Sequence, residues 1–384
     1  MKKLNREKLE KVLNDRLDFN IGQAKLAGGE IVVIQSGERL VHITKGVKNA
    51  DTGEALEPNA MYRLASMTKP ITGLATLIAV KNGWFRLDDD VKDYLPNFGD
   101  MDVAVFDKEG KVVRDHKAHS ELKIYQMLCH SNGILAETPL GNAMLEACPP
   151  STYESIDGML DYAYTQPLAF DPGEYTAYTG YTSFDAIAKI IEEKSGMKYS
   201  EFLQKNIFDP LDIHDITYHP TDEQWNRMVT MHDRSAAKKL VTVNMGKQIF
   251  ENYALTYECA GAGLAGCMED YAKIAQLICN GGNLNGVEIV TPELIAEMKK
   301  PRVADDIPGR EPNDSWGLGV RVKVHEDWLP EGAFGWSGAY GTHFWVDQEN
   351  EIVGILLRNM RWYDTHGAGE MGKEFEQDVM SCAE

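Results

Sequence analysis

The sequence has no excess of basic residues. With 39 Lys and Arg against 59 Asp and Glu, its 384 residues carry a formal net charge of −20. A surface that binds phosphates is expected to be basic, so this balance argues against a nucleic-acid-binding protein. It also argues against attachment to anionic lipids through a polybasic patch. We therefore expect neither a nucleic-acid nor a membrane partner.

Long apolar runs are absent as well. No stretch reaches the roughly 18 apolar residues of a membrane span, and the longest run, at 74–80, stops at Lys81. The basic N-terminal segment lacks the apolar stretch and cleavage site of a secretory signal. Its apolar residues recur at helical spacing, which predicts an amphipathic helix: Leu4, Leu9, Val12, Leu13 and Leu17.

Cysteine is scarce and irregularly spaced. The six cysteines show no C-x-x-C pair or other zinc-binding spacing, and a chain of this length does not resemble a disulfide-rich scaffold. We therefore expect a cytoplasmic protein. The positions are Cys129, Cys148, Cys259, Cys267, Cys279 and Cys382.

Repeats and Gly/Ser-rich linkers are missing too, which favours one continuous unit. Strand patterns occur near both ends, at 30–36, 38–44, 316–324, 333–346 and 352–357, with a short hairpin at 104–113. Helical patterns occur at 66–81, 124–129, 184–194 and 271–279. The pattern predicts an α/β (α+β) fold: an antiparallel sheet built from both termini, flanked by helices, with a mostly helical inserted lobe. We predict a single composite catalytic domain over 1–384, with an α/β lobe at about 1–85 plus 270–384 and a helical lobe at about 86–269.

The strongest local motif is S-x-x-K at Ser66 and Lys69. If Ser66 begins a helix, Lys69 lies on the same face. A buried lysine has a lowered pKa and can take the proton of a serine hydroxyl, which makes the serine a nucleophile. Taken alone, the motif is weak, because Ser66 could be a helix cap and Lys69 a solvated side chain.

Two other patterns compete with this motif. The segment 261–266 matches the dinucleotide-binding G-x-G-x-x-G, but no adequate second strand ending in an acidic residue follows it, so we favour a glycine-rich turn. Histidines could form a metal site, yet their spacing matches no H-E-x-x-H pair, so we expect surface histidines. The two sets are His116, His119 and His130, and His214, His219 and His232.

Five landmarks in order make the S-x-x-K motif persuasive. They are YRLASMTKPIT around Ser66, GWFRLDDDVKDYLPNF from Gly83, MLCHSNGI from Met127, PGEYTAYTGYTSFDAIAKIIE from Pro172 and FGWSGAYGTHFWVD from Phe334. This order resembles the serine β-lactamase and penicillin-binding-protein superfamily, in its class C-like branch, and the motifs are most similar to those of family VIII carboxylesterases.

The resemblance implies roles for individual residues. Ser66 would be the acylated nucleophile, Lys69 its partner amine and Tyr178 the motif tyrosine, with a pKa lowered by the ammonium group; Tyr175 and Tyr181 are neighbouring alternatives. The backbone amides of Ser66 and Ala339 would form the oxyanion hole.

Departures from the family pattern concern the substrate. Gly180 replaces the Asn of Y-x-N, and Trp336, Ser337 and Gly338 replace K-T-G, so the cation that would pair with a substrate carboxylate is missing. The resemblance therefore implies a neutral acyl substrate bound by Gly180, Trp336, Ser337 and Gly338. We expect His130 to be structural and Asp185 to be a helix cap or a solvated charge.

Together these observations predict a serine hydrolase that needs no metal or cofactor and acts on a small-molecule ester more readily than on an amide. A D-amino-acid amidase or peptidase, a weak β-lactamase, and a non-catalytic penicillin-binding-like module remain alternatives. A nucleotide-binding oxidoreductase is a more distant one.

Overall fold

The computed structural model describes residues 2–250, 253–361 and 367–384, with backbone only for 367–370. The strands are β1 (Gly28–Gln35), β2 (Glu38–Asn49), β3 (Glu54–Ala55), β4 (Met61–Arg63), β5 (Asp102–Phe106), β6 (Val112–Lys117), β7 (Met231–Arg234), β8 (Leu240–Val243), β9 (Ala265–Cys267), β10 (Asn283–Leu284), β11 (Val287–Glu288), β12 (Asp314–Trp316), β13 (Arg321–Lys323), β14 (Phe334–Ser337), β15 (His343–Asp347) and β16 (Ile352–Leu357).

The helices lie before, between and after these strands. They are α1 (Arg6–Gly22), α2 (Lys69–Lys81), α3 (Ile124–Leu128), α4 (Pro139–Glu146), α5 (Ile156–Thr165), α6 (Thr182–Ser195), α7 (Tyr199–Leu203), α8 (Asp222–Arg227), α9 (Met268–Cys279), α10 (Pro292–Met298) and α11 (Gly367–Met380). A 3₁₀ turn, Ala65–Thr68, precedes α2.

One eight-stranded sheet joins the two ends of the chain. Its order is β12-β13-β14-β15-β16-β1-β2-β3, and every neighbouring pair is antiparallel. β1, from the N-terminal part, pairs with β16, from the C-terminal part, with Val32 opposite Ile355. The predicted fold class, an antiparallel sheet built from both termini and flanked by helices, is confirmed.

Both faces of the sheet are covered by helices. Side chains alternate along a strand, so Ile31 and Val33 pack with Leu13 of α1 in one apolar cluster. Val32 and Ile34 belong to a second cluster on the other face, which includes residues of α2 and α9. The second cluster is the one that surrounds the residues next to Ser66.

The predicted strands near the C-terminus need correction. The sequence predicts one strand in 316–324 and one in 333–346. In the structure the first stretch runs from the end of β12 through a turn into β13, and the second holds the antiparallel pair β14 and β15. Gly319 and Gly341 have φ values of +74° and +86° in these turns, a conformation that glycine adopts without steric cost. The chain therefore reverses where the apolar pattern continues.

Within the described ranges, no helix combines the length and the apolar character that crossing a bilayer requires. All six cysteines have free thiols.

Candidate active site

Ser66 lies in the 3₁₀ turn before α2, and the α-helix begins at Lys69 and not at Ser66 as predicted. The turn is fixed by hydrogen bonds from the Leu64 amide to the Leu264 carbonyl at 3.0 Å and from Thr68 Oγ1 to the Ala65 carbonyl at 2.7 Å. Ala65 has a φ of +47°, and such a conformation costs on the order of 1–3 kcal/mol in a non-glycine residue. Residues i and i+3 eclipse in a 3₁₀ turn, so Lys69 lies directly over Ser66.

The Lys69 side chain is completely buried and its amine is held by three oxygens. Nζ lies 3.2 Å from Ser66 Oγ, 2.6 Å from the Gly180 carbonyl oxygen and 2.9 Å from the Gly261 carbonyl oxygen. The two carbonyls can only accept hydrogen bonds, so they hold two N–H groups and direct the third position of the nitrogen at Ser66. In the neutral amine that position carries the lone pair, which can accept the Ser66 proton.

Burial lowers the pKa of Lys69 to about 7. The cause is lost hydration of the ammonium form, and the nearby acidic groups Glu137 and Asp185 only partly oppose it. An ordinary lysine has a pKa of about 10.4 and is almost fully charged at neutral pH. Lys69 instead has a large neutral fraction there, as a general base requires.

The Tyr178 hydroxyl is the second group on Ser66. It donates to Ser66 Oγ at 2.7 Å and accepts from Trp336 Nε1–H at 3.3 Å. The expected lowering of its pKa is wrong: burial raises the pKa of Tyr178. Lys69 Nζ lies 4.7 Å from the centre of the ring and so over its face. Tyr178 is therefore a neutral phenol that can donate a proton.

His130 is not a surface residue, contrary to the expectation for its group. It is fully buried, and its ring centre lies 4.6 Å from that of Tyr178 and 4.3 Å from that of Trp316. Nδ1 accepts a hydrogen bond from the Thr179 amide at 3.0 Å. Burial, assisted by the charge of Lys69, lowers the pKa of His130 well below its usual value, so the ring is neutral. It forms part of the packing behind the Tyr178 ring.

Asp185 is neither a helix cap nor a solvated charge, so that expectation is wrong. It is fully buried in α6; Oδ1 accepts from the Ala260 amide at 2.8 Å, and Oδ2 accepts from the Tyr257 hydroxyl. Burial raises the pKa of Asp185 to about 7. Because Ala260 precedes Gly261, this carboxyl group anchors the loop whose carbonyl holds Lys69.

The glycine-rich segment 261–266 is a turn, as favoured from the sequence. It leads into β9, which pairs antiparallel with β4, whereas a dinucleotide fingerprint requires a parallel βαβ unit. A β-carbon on Gly261 would lie 2.4 Å from the Gly180 carbonyl oxygen. Sequence reasoning missed that this close approach brings two carbonyl groups to one lysine.

The predicted oxyanion residues adjoin the 3₁₀ turn that contains Ser66. A β-carbon on Gly338 would lie 2.2 Å from the Leu64 carbonyl oxygen, so the backbone here packs directly against that turn. The Gly338 amide donates to the Thr342 carbonyl at 2.7 Å. Ala339 is exposed, and its amide has no backbone acceptor among the described residues.

The other predicted substrate-binding residues differ in their surroundings. Trp336 is partly exposed and directs its N–H at Tyr178. Ser337 Oγ lies 2.8 Å from His343 Nδ1, so this hydroxyl is already engaged. Gly180 uses its carbonyl on Lys69, and a β-carbon there would meet no atom within 4 Å.

A cavity of about 580 Å³ opens beside Tyr178. Trp316 and Trp336 form an aromatic wall, with ring centres 4.5 Å apart, and Trp316 lies 6.0 Å from the Tyr178 ring. The sequence analysis did not predict Trp316 as a site residue, because it belongs to no motif. Only the pairing of the strands brings it next to Tyr178 and Trp336. The wall suits an apolar or aromatic substrate group.

The remaining cavity lining carries more negative than positive side chains. Three carboxylates, of Glu137, Glu311 and Asp314, face two cations, Arg321 and Lys373. Arg321 already donates to Glu376 at 2.6 Å. The cavity therefore offers little attraction to an anionic substrate.

The other five histidines of the two predicted sets lie elsewhere, and His232 is a second exception to the expected surface location. It is buried and its Nε2 accepts from the Ala50 amide at 3.1 Å. His214 and His219 are exposed, each beside a carboxylate, and the described residues bring no metal-binding group together from this set. His116 and His119 converge on Asp171.

Known proteins are similar to this chain over most of its length. The family model described as Beta-lactamase matches residues 7–363. The esterase EstB of Burkholderia gladioli is 25% identical over 393 residues, which cover 92% of this chain and 92% of the esterase. ML-236A carboxylate methylbutanoyltransferase mlcH of Penicillium citrinum is 30% identical over 351 residues, which cover 85% of this chain and 82% of that protein. The solved structure of EstCE1, a hydrolase with promiscuous acyltransferase activity, aligns with a TM-score of 0.80 at 19% identity and covers 98% of both chains.

Proposed function

Because the chain belongs to the Beta-lactamase family, we propose that it is a serine hydrolase that cleaves a small neutral ester through an acyl-Ser66 intermediate. The membership agrees with the superfamily resemblance of its motifs, and the esterase among its relatives supports a hydrolase. The observation that carries the proposal is the position of Ser66 Oγ, 3.2 Å from Lys69 Nζ and 2.7 Å from the Tyr178 hydroxyl.

Acylation uses the two groups in different ways. Neutral Lys69 takes the Ser66 proton while Oγ forms a bond to the ester carbonyl carbon. The carbonyl oxygen, now negative, is stabilised by the amides of Ser66 and Ala339. The carbon–oxygen bond to the leaving group then breaks, and the proton passes from Lys69 by way of Tyr178 to the departing alcohol.

Water completes the cycle by attacking the acyl-Ser66 carbonyl carbon. Its proton is taken by the same pair of groups and returned to Ser66 Oγ as the acid leaves. The net reaction is ester plus water to acid plus alcohol. An acceptor alcohol in place of water would give acyl transfer with the same residues.

The cavity supports a neutral substrate. Its wall of Trp316 and Trp336 is apolar, and its carboxylates outnumber its cations. Bringing a substrate carboxylate in beside the carboxylates of Glu137, Glu311 and Asp314 is costly, and Arg321 is already engaged by Glu376. We therefore expect faster turnover of neutral esters than of anionic β-lactams or of substrates with a C-terminal carboxylate.

An activity screen tests this proposal. Short-chain nitrophenyl esters, a chromogenic cephalosporin and D-alanine anilide are offered to the wild type and to Ser66→Ala, which serves as the inactive control. We expect ester turnover that is lost in Ser66→Ala and little turnover of the other two. Trp336→Lys should improve the anionic substrate relative to the neutral ester by about 1.5–3 kcal/mol, the scale of a hydrogen bond to a charged group. Efficient cephalosporin turnover by the wild type would contradict the esterase proposal and indicate a β-lactamase.

We further propose a cytoplasmic location without nucleic-acid or membrane partners. The six free thiols suit a reducing compartment, and the charge of −20 disfavours polyanions. Cell fractionation followed by immunoblotting tests the location, and recovery in a secreted or membrane fraction would contradict it.

A further inference from the structure

A group of metal-binding side chains lies away from Ser66. His116, at the end of β6, and His119 meet Asp171 and Glu174 from the turn that precedes Tyr178. One ligand atom from each of His116, His119 and Asp171 can be chosen so that all lie within 4.8 Å of one another. We call His116, His119, Asp171 and Glu174 the 116–174 cluster.

Several pairs of donor atoms in the 116–174 cluster lie close together. His116 Nε2 lies 2.9 Å from Asp171 Oδ2, and His119 Nδ1 lies 3.1 Å from Glu174 Oε1 and 3.4 Å from Asp171 Oδ1. In a tetrahedral zinc site with metal–ligand distances of about 2.0–2.1 Å, ligand atoms are about 3.3 Å apart. The three distances between donor atoms are close to that value, and His116, His119 and Asp171 can each offer one donor atom to a shared ion.

The neighbours of the cluster already orient its donors. Asp115 Oδ2 lies 2.9 Å from His116 Nδ1, so the carboxylate holds that nitrogen in its N–H form and leaves Nε2 to face Asp171. A carboxylate behind a histidine is the usual second partner of a zinc-binding imidazole. The His119 amide donates to Asp171 Oδ1 at 2.7 Å, so Oδ2, which lies 2.9 Å from His116 Nε2, is the oxygen of Asp171 that would bind the ion.

We propose that the 116–174 cluster binds one divalent transition-metal ion, Zn²⁺ or an ion of similar preference. Two imidazole nitrogens and two carboxylate oxygens suit Zn²⁺, whereas Mg²⁺ and Ca²⁺ prefer oxygen ligands alone. The ion displaces to solvent the proton that Nε2 of His116 shares with Asp171 in the metal-free protein. None of the four cluster residues contacts Ser66. The metal-site proposal therefore does not depend on the esterase proposal.

The position of the cluster indicates a structural role for the ion. It joins the β5–β6 hairpin to the turn at 171–174, and Tyr178 follows Glu174 by four residues in the chain. An ion bound here ties these two segments together. Binding should therefore stabilise the folded protein.

Metal titration of untagged, metal-free protein tests the proposal. Zn²⁺ is titrated in competition with a chromophoric chelator, and Co²⁺ is followed by its visible absorption. We expect one equivalent of Zn²⁺ to bind, Co²⁺ to give a tetrahedral-type spectrum, and Zn²⁺ to raise the Tm. His116→Ala and His119→Ala should each weaken Zn²⁺ binding at least tenfold, and Asp115→Asn about tenfold through lost orientation of His116.

His214→Ala is the matched control, because His214 is an exposed histidine 2.9 Å from a single carboxylate oxygen of Asp212. It should bind Zn²⁺ like the wild type, and excess Mg²⁺ should not compete. The histidine variants alter partly or largely exposed side chains, so loss of the fold does not confuse the result. Failure of the wild type to bind one equivalent, equal binding by His116→Ala, or displacement by Mg²⁺ would overturn the proposal.

Discussion

At the residue scale, the Lys69 amine contacts two carbonyl oxygens and the Ser66 hydroxyl, and no carboxylate in the described part of the chain forms an ion pair with it. Burial without a counter-ion explains the pKa of about 7. Tyr178 differs, since burial raises its pKa and keeps it protonated. In the proposed mechanism Lys69 is therefore the base and Tyr178 the proton donor.

The pH dependence of ester hydrolysis follows from this division. Lys69 accepts a proton only when neutral, so kcat/KM for a neutral ester should rise with pH and level off above about pH 7. The measurement is a pH profile over the range in which the fold is intact, checked by circular dichroism. A rise centred near the ordinary lysine pKa of about 10.4 would contradict the role assigned to Lys69.

Removal of the Tyr178 hydroxyl tests the proton donor. Tyr178→Phe should lower the acylation rate by a factor on the order of 10² to 10⁴, the usual range for a positioned proton-transfer group. Combined with Lys69→Ala, the loss should be smaller than the product of the single losses, because the groups act as a unit. Tyr181→Phe is the control, since that ring packs against Phe250 and Tyr253. A near-normal acylation rate in Tyr178→Phe would mean that another residue is the proton donor.

At the element scale, two loops from distant parts of the chain supply the carbonyl groups that bind the Lys69 amine. The loop before α6 supplies the Gly180 carbonyl, and the loop before β9 supplies the Gly261 carbonyl. Asp185 in α6 fixes the second loop through the Ala260 amide. The close packing of the loops requires glycine at 261, where a β-carbon would clash, but not at 180.

Two matched glycine substitutions test this packing. Gly261→Ala places a β-carbon 2.4 Å from the Gly180 carbonyl oxygen and should separate the loops. We expect a loss of about 1–3 kcal/mol in stability and up to about 10² in kcat/KM, since small misplacements of reacting groups are costly. Gly180→Ala has open space and should stay close to the wild type. Urea denaturation and ester kinetics measure both, and equal behaviour of the two variants would refute the arrangement.

Sequence patterns could predict the local part of this site. The spacing of Ser66 and Lys69 and the family motif around Tyr178 identified three side chains that the structure brings together. The burial of His130 and Asp185 and the position of Trp316 could not be predicted, because each depends on contacts between segments far apart in the chain. Apolar periodicity shows that a residue is buried, but not which residue it meets.

At the scale of the whole molecule, one sheet made from both chain ends supports the site on one face and carries α1 on the other. That strands from the two ends of the chain share one sheet was predictable, because strand patterns flank a helical middle segment. The order of the eight strands and the register of β1 against β16 were not predictable. The ends of β12 and β14 were not predicted, because the apolar pattern continues through the turns that contain Gly319 and Gly341. The lobe boundaries near residues 85 and 270 remain a proposal.

The two faces should respond separately to mutation. Leu13 in α1 is fully buried in the cluster on the face away from Ser66. Leu13→Ala should lower the free energy of unfolding by about 2–5 kcal/mol, while kcat per folded molecule stays unchanged. Lys11→Ala, at an exposed position of the same helix, should change stability by less than about 0.5 kcal/mol. A large fall in kcat for folded Leu13→Ala would show that the faces are coupled.

The most direct test of the whole account is covalent labelling of the nucleophile. A fluorophosphonate probe reacts with an activated serine, and mass spectrometry of the digested protein locates the adduct. We predict one label per chain, on the peptide that contains Ser66, and no label on Ser66→Ala. A label that persists on Ser66→Ala, or that maps to another serine in the wild type, would contradict the acyl-Ser66 mechanism.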